Sequence, residues 1–192
     1  HEIILPNGER QAYYDGDGTG VGKGRVISAV ILDNFRRGRK KAIWISEKSN
    51  LLESAIRDWT DIGQSKDVFV LQGKSGLTDT LPRKNGILFT TYSMLGMGSD
   101  VINGAVTTKD QLGKPGEKMP TRLDQLLAWI SPDFDGVIAF DEAHNMANTE
   151  GTTGQRGRTQ PSARALVGVE FQRRLPKARI LYVSATASKS VD

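Results

Sequence analysis

Three separated segments of the chain carry side chains whose types and spacing suit phosphate chemistry. The first consists of Gly18, Thr19, Gly20, Val21, Gly22, Lys23, Gly24 and Arg25. Its glycines let successive backbone N–H groups converge on phosphate oxygens, and the helix predicted to follow offers its positive N-terminal end to the same anion. Lys23 would reach the terminal phosphates as a point charge. The segment predicts a phosphate-binding loop; the alternative is a glycine-rich turn that only joins a strand to a helix.

The loop departs from the usual G-x-x-x-x-G-K-[ST] pattern at two positions. Asp17 stands at the first glycine, and Gly24 stands where a Ser or Thr hydroxyl normally binds Mg²⁺. A metal must then be held by another hydroxyl, by water and by an acidic residue elsewhere in the chain. Thr19 is the nearest candidate for that hydroxyl.

The second segment is acidic and follows the apolar run from Gly136 to Phe140. Asp141 can hold magnesium, usually through water, while Glu142 can orient and deprotonate an attacking water. An acidic turn after a buried strand is the structural alternative. His144 is the single histidine beyond His1, and we assign it a coupling role rather than a metal or base role.

The third segment is Ser184–Ala185–Thr186, which follows an apolar run near the end of the chain. The hydroxyls of Ser184 and Thr186 can form hydrogen bonds with His144 or Asp141; the alternative is a simple helix cap or turn. Each of the three segments follows a predicted strand. Because ligands gather at the carboxyl ends of parallel strands, we expect the three segments to meet at one edge of a sheet.

Short apolar runs alternate with helical spacing along the chain, which predicts an α/β fold with a mostly parallel sheet and helices on both faces. The predicted strands are 11–15, 42–45, 68–71, 86–90, 136–140 and 178–183, and the predicted helices are 23–35, 51–59, 123–130 and 161–174. Two stretches, about 96–120 and 145–160, are rich in Gly, Thr, Asn and Lys and are expected to be mobile loops or insertions. The three tryptophans lie in apolar settings and are expected in the core.

Composition further limits the kinds of catalytic and metal sites that the chain can form. The chain has 192 residues, a formal charge of +4 and no cysteine, which excludes disulfides, thiol nucleophiles and cysteine-ligated metals. Its two histidines exclude a three-histidine metal site. No apolar run approaches the length of a membrane span and no leader is evident, so an intracellular location is expected. Since the first residue is His1, we expect the chain to be part of a longer polypeptide.

These motifs resemble those of the first motor lobe of superfamily 2 helicases of the DEAH type, with Asp141–Glu142–Ala143–His144 as the acidic motif. The stretch 16–25 is similar to the strawberry notch family, whose phosphate loop also has glycine after the lysine. Further stretches share that resemblance: 37–42, 57–58 with 61–63, 134–137 and 175–179. The run 141–148 resembles the bacterial and phage members more than the animal ones, so a cytoplasmic location is expected.

The resemblance implies that residues 1–192 form a RecA-like lobe that binds ATP and Mg²⁺, and that a second lobe lies outside this chain. It implies movement on nucleic acid, DNA more than RNA, and a methyltransferase module elsewhere in the same polypeptide. By the same resemblance, five residues occupy strand-tracking motifs: Ser46, Lys48, Thr90, Thr91 and Tyr92. Because hydrolysis in such motors usually needs arginines from the second lobe, we expect this chain alone to bind nucleotide weakly and hydrolyse it slowly.

Two other functions are compatible with parts of the sequence. With Gly24 in the loop the metal would be poorly held, and the domain could then be a non-hydrolysing scaffold that docks partners or DNA. A small-molecule P-loop kinase is disfavoured by the acidic motif and by Ser184–Ala185–Thr186.

Overall fold

The computed structural model of the 192-residue chain describes residues 3–17, 20, 22–66, 69–70, 76–81, 84–112, 114–146, 153–154, 157–158 and 162–185. In chain order the elements are β1 (Tyr13–Asp15), α1 (Lys23–Arg36), β2 (Lys41–Ser46), α2 (Leu51–Asp61), β3 (Phe69–Val70), β4 (Gly86–Thr91), α3 (Tyr92–Leu95), β5 (Ser99–Ile102), β6 (Ala105–Thr108), β7 (Asp110–Gln111), β8 (Lys114–Lys118), α4 (Arg122–Ile130), β9 (Val137–Asp141), a 3₁₀-helix (Ala143–Met146), β10 (Thr153–Gly154), β11 (Gly157–Arg158), α5 (Ala163–Arg173) and β12 (Arg179–Val183).

A six-stranded sheet forms the centre of the molecule, in the order β1-β12-β9-β2-β4-β3. Every neighbouring pair in it is parallel. The middle strands are almost wholly buried, and they are apolar along their length because both faces of the sheet are covered. The predicted α/β fold with a parallel sheet is therefore confirmed.

Two buried clusters cover the two faces of the sheet. Alternate strand residues such as Trp44 and Ala139 pack with residues of α1 and α2, including Ile27 and Trp59. The other residues of the same strands pack with residues of α3, α4 and α5. Trp44 and Trp59 are in the core as expected, whereas Trp129 is only partly buried at its margin.

The register of the sheet aligns the carboxyl ends of neighbouring strands along one edge. Asp15 at the end of β1 is opposite Val183, and Val183 is opposite Asp141 at the end of β9. On the other side of β9, Ser46 ends β2 opposite Thr91 of β4. One edge of the sheet therefore carries the last residues of five strands that are distant in sequence.

Between α3 and α4, where the sequence analysis predicted a loop or insertion, the chain forms two antiparallel hairpins. The second predicted insertion, about 145–160, begins within the 3₁₀-helix and includes a short pair of strands, β10 and β11. Its other residues lie outside the described part of the chain. Within the described part of the chain, no helix is long and apolar enough to cross a membrane.

Candidate functional site

The glycine loop joins β1 to α1 at the carboxyl edge of the sheet. Gly20 and Gly22 have positive φ angles of 81° and 92°, a conformation that side chains other than glycine rarely adopt. Gly22 is the N-cap of α1 and supplies no side-chain cap, so the N–H groups of the first turn are left for an external acceptor. Gly18, Thr19 and Val21 lie outside the described residues.

Lys23 is the first residue of α1 and is partly buried. Its Nζ donates to the backbone oxygen of Asp17, at 3.3 Å. The ammonium group therefore lies against the loop that precedes its own helix. Arg25, the last residue of the predicted loop segment, pairs with Asp61 of α2 at 2.8 Å.

Asp141 is held in place at the end of β9 by two donors. Its Oδ2 accepts a hydrogen bond from Oγ of Ser46 at 2.9 Å, and its Oδ1 accepts one from the backbone N–H of Glu142 at 3.1 Å. Burial raises the pKa of Asp141, and the charge of Glu142 raises it further, while the hydrogen bond from Ser46 opposes both. The carboxylate is thus positioned by the sheet but is costly to keep charged without a cation.

Glu142 has a left-handed backbone conformation, with φ at 53°. Such conformations cost non-glycine residues energy and persist where the surrounding structure imposes them. Here the turn aims the Glu142 carboxylate at the ring of His144, with Oε2 at 3.3 Å from Nδ1. The amide of Asn145 also donates to the backbone oxygen of Glu142 at 2.9 Å, which ties the turn to the 3₁₀-helix.

Ser184 connects the strand that leads into the glycine loop with the acidic segment. Its backbone N–H donates to the backbone oxygen of Asp15 at 3.0 Å, just before the glycine loop. Its Oγ lies 3.3 Å from Nδ1 of His144, the same ring nitrogen that faces Glu142. A continuous set of contacts therefore runs from β1 through Ser184 and His144 to Glu142. Thr186 lies outside the described residues.

The five strand-tracking candidates occupy different environments. Ser46, Thr90, Thr91 and Tyr92 are buried, and Lys48 is exposed. Thr91 caps α3 by accepting a hydrogen bond from the N–H of Met94, and Tyr92 donates its hydroxyl to the backbone oxygen of Asp141 at 3.0 Å. Burial, followed by the charges of Asp141 and Glu142, raises the pKa of Tyr92. Of these five side chains, only that of Lys48 is exposed at the surface.

Two interactions at this edge were not foreseen from the sequence. Ser46 and Tyr92 both hold Asp141: Ser46 ends β2, the strand beside β9, and Tyr92 begins α3 directly after β4, the next strand of the sheet. Asp58 of α2 lies against Gly24 in the first turn of α1. The sequence contained one sign of this contact: Gly24 has no side chain, which leaves room for a group from another element beside it.

The donor groups at this edge suit a magnesium-bound nucleotide. Carboxylate and hydroxyl oxygens are the ligands that Mg²⁺ prefers, and it usually keeps waters and shares substrate phosphates. Asp15 adds a buried Oδ2 that lacks a hydrogen-bond partner among the described residues. In that same part of the chain, no three His, Asp or Glu side chains group closely enough to hold a metal by themselves. A cation here would therefore share its coordination with phosphate and water.

A parallel sheet with a glycine loop at the start of α1 and a positioned acid at the end of β9 defines a P-loop NTPase domain. The family model described as P-loop containing NTP hydrolase pore-1 matches residues 1–192, and the chain belongs to that family.

Several curated proteins are similar to this chain. Protein strawberry notch homolog 1 of Gallus gallus is 40% identical over 194 residues, which cover 98% of this chain and 14% of that protein. Protein strawberry notch of Drosophila melanogaster is 37% identical over 98% of this chain and 11% of its own length. Protein FORGETTER 1 of Arabidopsis thaliana is 35% identical over 98% of this chain and 13% of its own length. The chain thus spans a small part of these relatives.

These comparisons support the predicted resemblance to strawberry notch proteins. The relatives are animal and plant proteins, so they give no support to the expected similarity to bacterial and phage members.

Proposed function

We propose that this domain is the ATP-binding lobe of a nucleic-acid-dependent ATPase, a helicase or translocase, that hydrolyses ATP with Mg²⁺ when paired with a second lobe. The observation that carries the proposal is the meeting of three distant segments at one sheet edge. The glycine loop, the Asp141–Glu142 pair and Ser184 are connected there by the contacts of Ser184 with Asp15 and with His144. A glycine-rich turn or an acidic turn alone would not require that convergence.

Each side chain has a role that follows from its position. Lys23 and the N–H groups at the start of α1 bind the phosphates, with Thr19 and Val21 completing the loop. Asp141 holds the cation, and Glu142 orients water and accepts its proton. When bound, Mg²⁺ supplies positive charge that stabilises the transferred phosphoryl group.

His144 and Ser184 couple the site to the rest of the motor. The His144 ring contacts Glu142 and Ser184 through the same nitrogen, so movement of the segment after β12 would change the position of Glu142, the proposed base. Thr186 would extend this connection. The proposed partners are DNA, reached through surface groups such as Lys48, a second RecA-like lobe and a methyltransferase module in the same polypeptide.

Titration calorimetry with Mg-ATP tests the proposal, comparing wild type with Lys23→Ala. A charge-assisted hydrogen bond to phosphate is worth about 1.5–3 kcal/mol, so the variant should bind about 10–100-fold more weakly. Lys177→Ala is the matched control, because Lys177 is an exposed lysine paired with Asp133, just before the amino end of β12. Equal affinities of wild type and Lys23→Ala would contradict the proposal.

The second candidate is a non-hydrolysing scaffold, and the specific observation in its favour is Gly24, which removes the usual metal-binding hydroxyl. That function predicts DNA association that is independent of nucleotide, and no turnover even with a second lobe present. Measuring DNA affinity with and without Mg-ATP on the longer polypeptide separates the two candidates.

A further inference from the structure

The space beside Gly24 is filled by a carboxylate from another helix. A Cβ built on Gly24 would overlap Oδ2 of Asp58 and would lie 2.9 Å from the carboxyl carbon and 3.3 Å from Cβ of that residue. Real Cβ atoms are almost never so close to another heavy atom. The side chain of Asp58 therefore lies directly against the backbone of the first turn of α1, next to Lys23.

The packing of α1 against α2 explains how Asp58 reaches this position. Arg25 of α1 pairs with Oδ2 of Asp61, one helical turn after Asp58, at 2.8 Å. Within the described part of the chain the carboxylate of Asp58 has no hydrogen bond or close ion pair of its own, although it interacts electrostatically with Arg25. The two acidic residues thus differ: Asp61 connects the helices, and Asp58 faces the start of the phosphate loop helix.

A carboxylate in this position has a clear electrostatic consequence. It repels the polyphosphate of a nucleotide bound at the loop, and the repulsion becomes attraction when a divalent cation lies between them. Its oxygen also lies beside the backbone position from which the usual Ser or Thr hydroxyl would extend. We propose that Asp58 supplies the oxygen ligand for the nucleotide's Mg²⁺ in place of that missing hydroxyl. This inference rests on the proposed function, since it concerns the same nucleotide site.

A purely structural role is the competing explanation. A carboxylate near a helix N-terminus interacts favourably with the helix dipole, and Asp58 could stabilise α1 without any ligand. The two roles differ in how nucleotide affinity responds to the cation, so binding measured with and without Mg²⁺ distinguishes them.

The experiment measures ATP affinity by calorimetry in Mg²⁺ and in EDTA for wild type and Asp58→Asn. For each protein we take the ATP affinity in Mg²⁺ divided by the ATP affinity in EDTA. We expect this ratio to be about tenfold lower in the variant, because one charged oxygen ligand is lost. In EDTA the variant should bind ATP at least as tightly as wild type, because the repulsion is also lost. Asp33→Asn is the matched control: it makes the same charge change at an exposed position near the other end of α1 and should keep the wild-type ratio.

A reciprocal exchange provides a second measurement. Gly24→Ser alone places a side chain against Asp58 and should weaken binding. The double variant Gly24→Ser with Asp58→Ala returns the oxygen to α1 and should restore the dependence on Mg²⁺. Thermal unfolding of each variant shows that the comparison is made between folded proteins.

Two results would overturn the inference while the proposed function stands. The first is an unchanged Mg²⁺ ratio in Asp58→Asn. The second is ATP binding that is weakened equally in Mg²⁺ and in EDTA, together with a lower melting temperature of the variant. A folded wild type that binds no ATP in either condition would overturn the proposed function, and this inference with it.

Discussion

Asp141 is a largely buried carboxylate that accepts hydrogen bonds from Ser46 and from the N–H of Glu142. Burial raises its pKa, so the fold makes the charged form, which cation binding needs, more costly to keep. The following residue, Glu142, adds a left-handed backbone to the same turn. A buried carboxylate and a left-handed non-glycine backbone both cost stability, and such features are typical of residues that serve chemistry.

At the residue scale, we expect Asp141→Asn to stabilise the fold and to weaken the Mg²⁺ dependence of nucleotide binding. The substitution removes a buried charge and keeps the shape, so a gain of about 0.5–2 kcal/mol in the free energy of unfolding at pH 7 is expected. Because the folded pKa is raised above its ordinary value of 3.8, wild type loses stability relative to the variant as pH rises through and above that value.

Urea unfolding of both proteins between pH 3.5 and pH 7 measures this difference. A difference that is constant with pH, or a variant less stable than wild type at pH 7, would contradict the argument.

At the scale of elements, the short helix α3 is connected to the carboxyl edge of the sheet. Thr91 caps it, and its first residue, Tyr92, stacks near Phe140 with ring centroids 6.4 Å apart and reaches the backbone oxygen of Asp141 with its hydroxyl. The helix therefore fixes the end of β9 from the face opposite α1. Ser46 and Tyr92, which the resemblance places in strand-tracking motifs, thus contact the acid that is expected to hold the cation.

This connection predicts the effect of Tyr92→Phe. Loss of a buried hydrogen bond costs about 0.5–1.5 kcal/mol, so the free energy of unfolding should fall by that amount. The half-exposed Tyr14 provides the control, since Tyr14→Phe removes the same hydroxyl at the surface and should change stability by less. Chemical denaturation measures both, and equal effects would argue against a specific role for the bond to Asp141.

At the scale of the whole molecule, the proposed function places the nucleotide at one edge of the central sheet. The glycine loop, Asp141 and Glu142 lie at that edge, and under the proposed function the arginines that stabilise the transferred phosphoryl group are expected from a second lobe. The relatives are much longer than this chain, which covers 14% of the Gallus gallus protein. The isolated domain is thus expected to bind nucleotide more readily than to hydrolyse it.

We therefore predict that ATP turnover by this chain is at least about 1,000-fold slower than turnover by the polypeptide that carries the second lobe, the factor typical of a contributed arginine. Phosphate release measured with and without DNA for both proteins checks this, with Lys23→Ala giving the background. Robust turnover by the isolated chain would show that it contains every catalytic group it needs.

Much of the fold was predictable because it depends on local patterns. The apolar runs 42–45 and 136–140 indicated buried parallel strands, and the structure places β2 and β9 over nearly those residues. The hairpins between α3 and α4 were not predicted. Their strands are short and mostly exposed, so no alternation of buried and exposed residues distinguishes them from a loop.

The sequence by itself determined the parallel α/β arrangement, the order of the three motifs and their position after strands, because hydrophobic periodicity and glycine placement act over a few residues. Only the tertiary structure decided which side chains meet. Strand register brought Ser46 and Tyr92 to Asp141, and the packing of α1 on α2 brought Asp58 to Gly24. Such contacts join residues far apart in the chain, and their geometry depends on how whole elements pack rather than on any local preference.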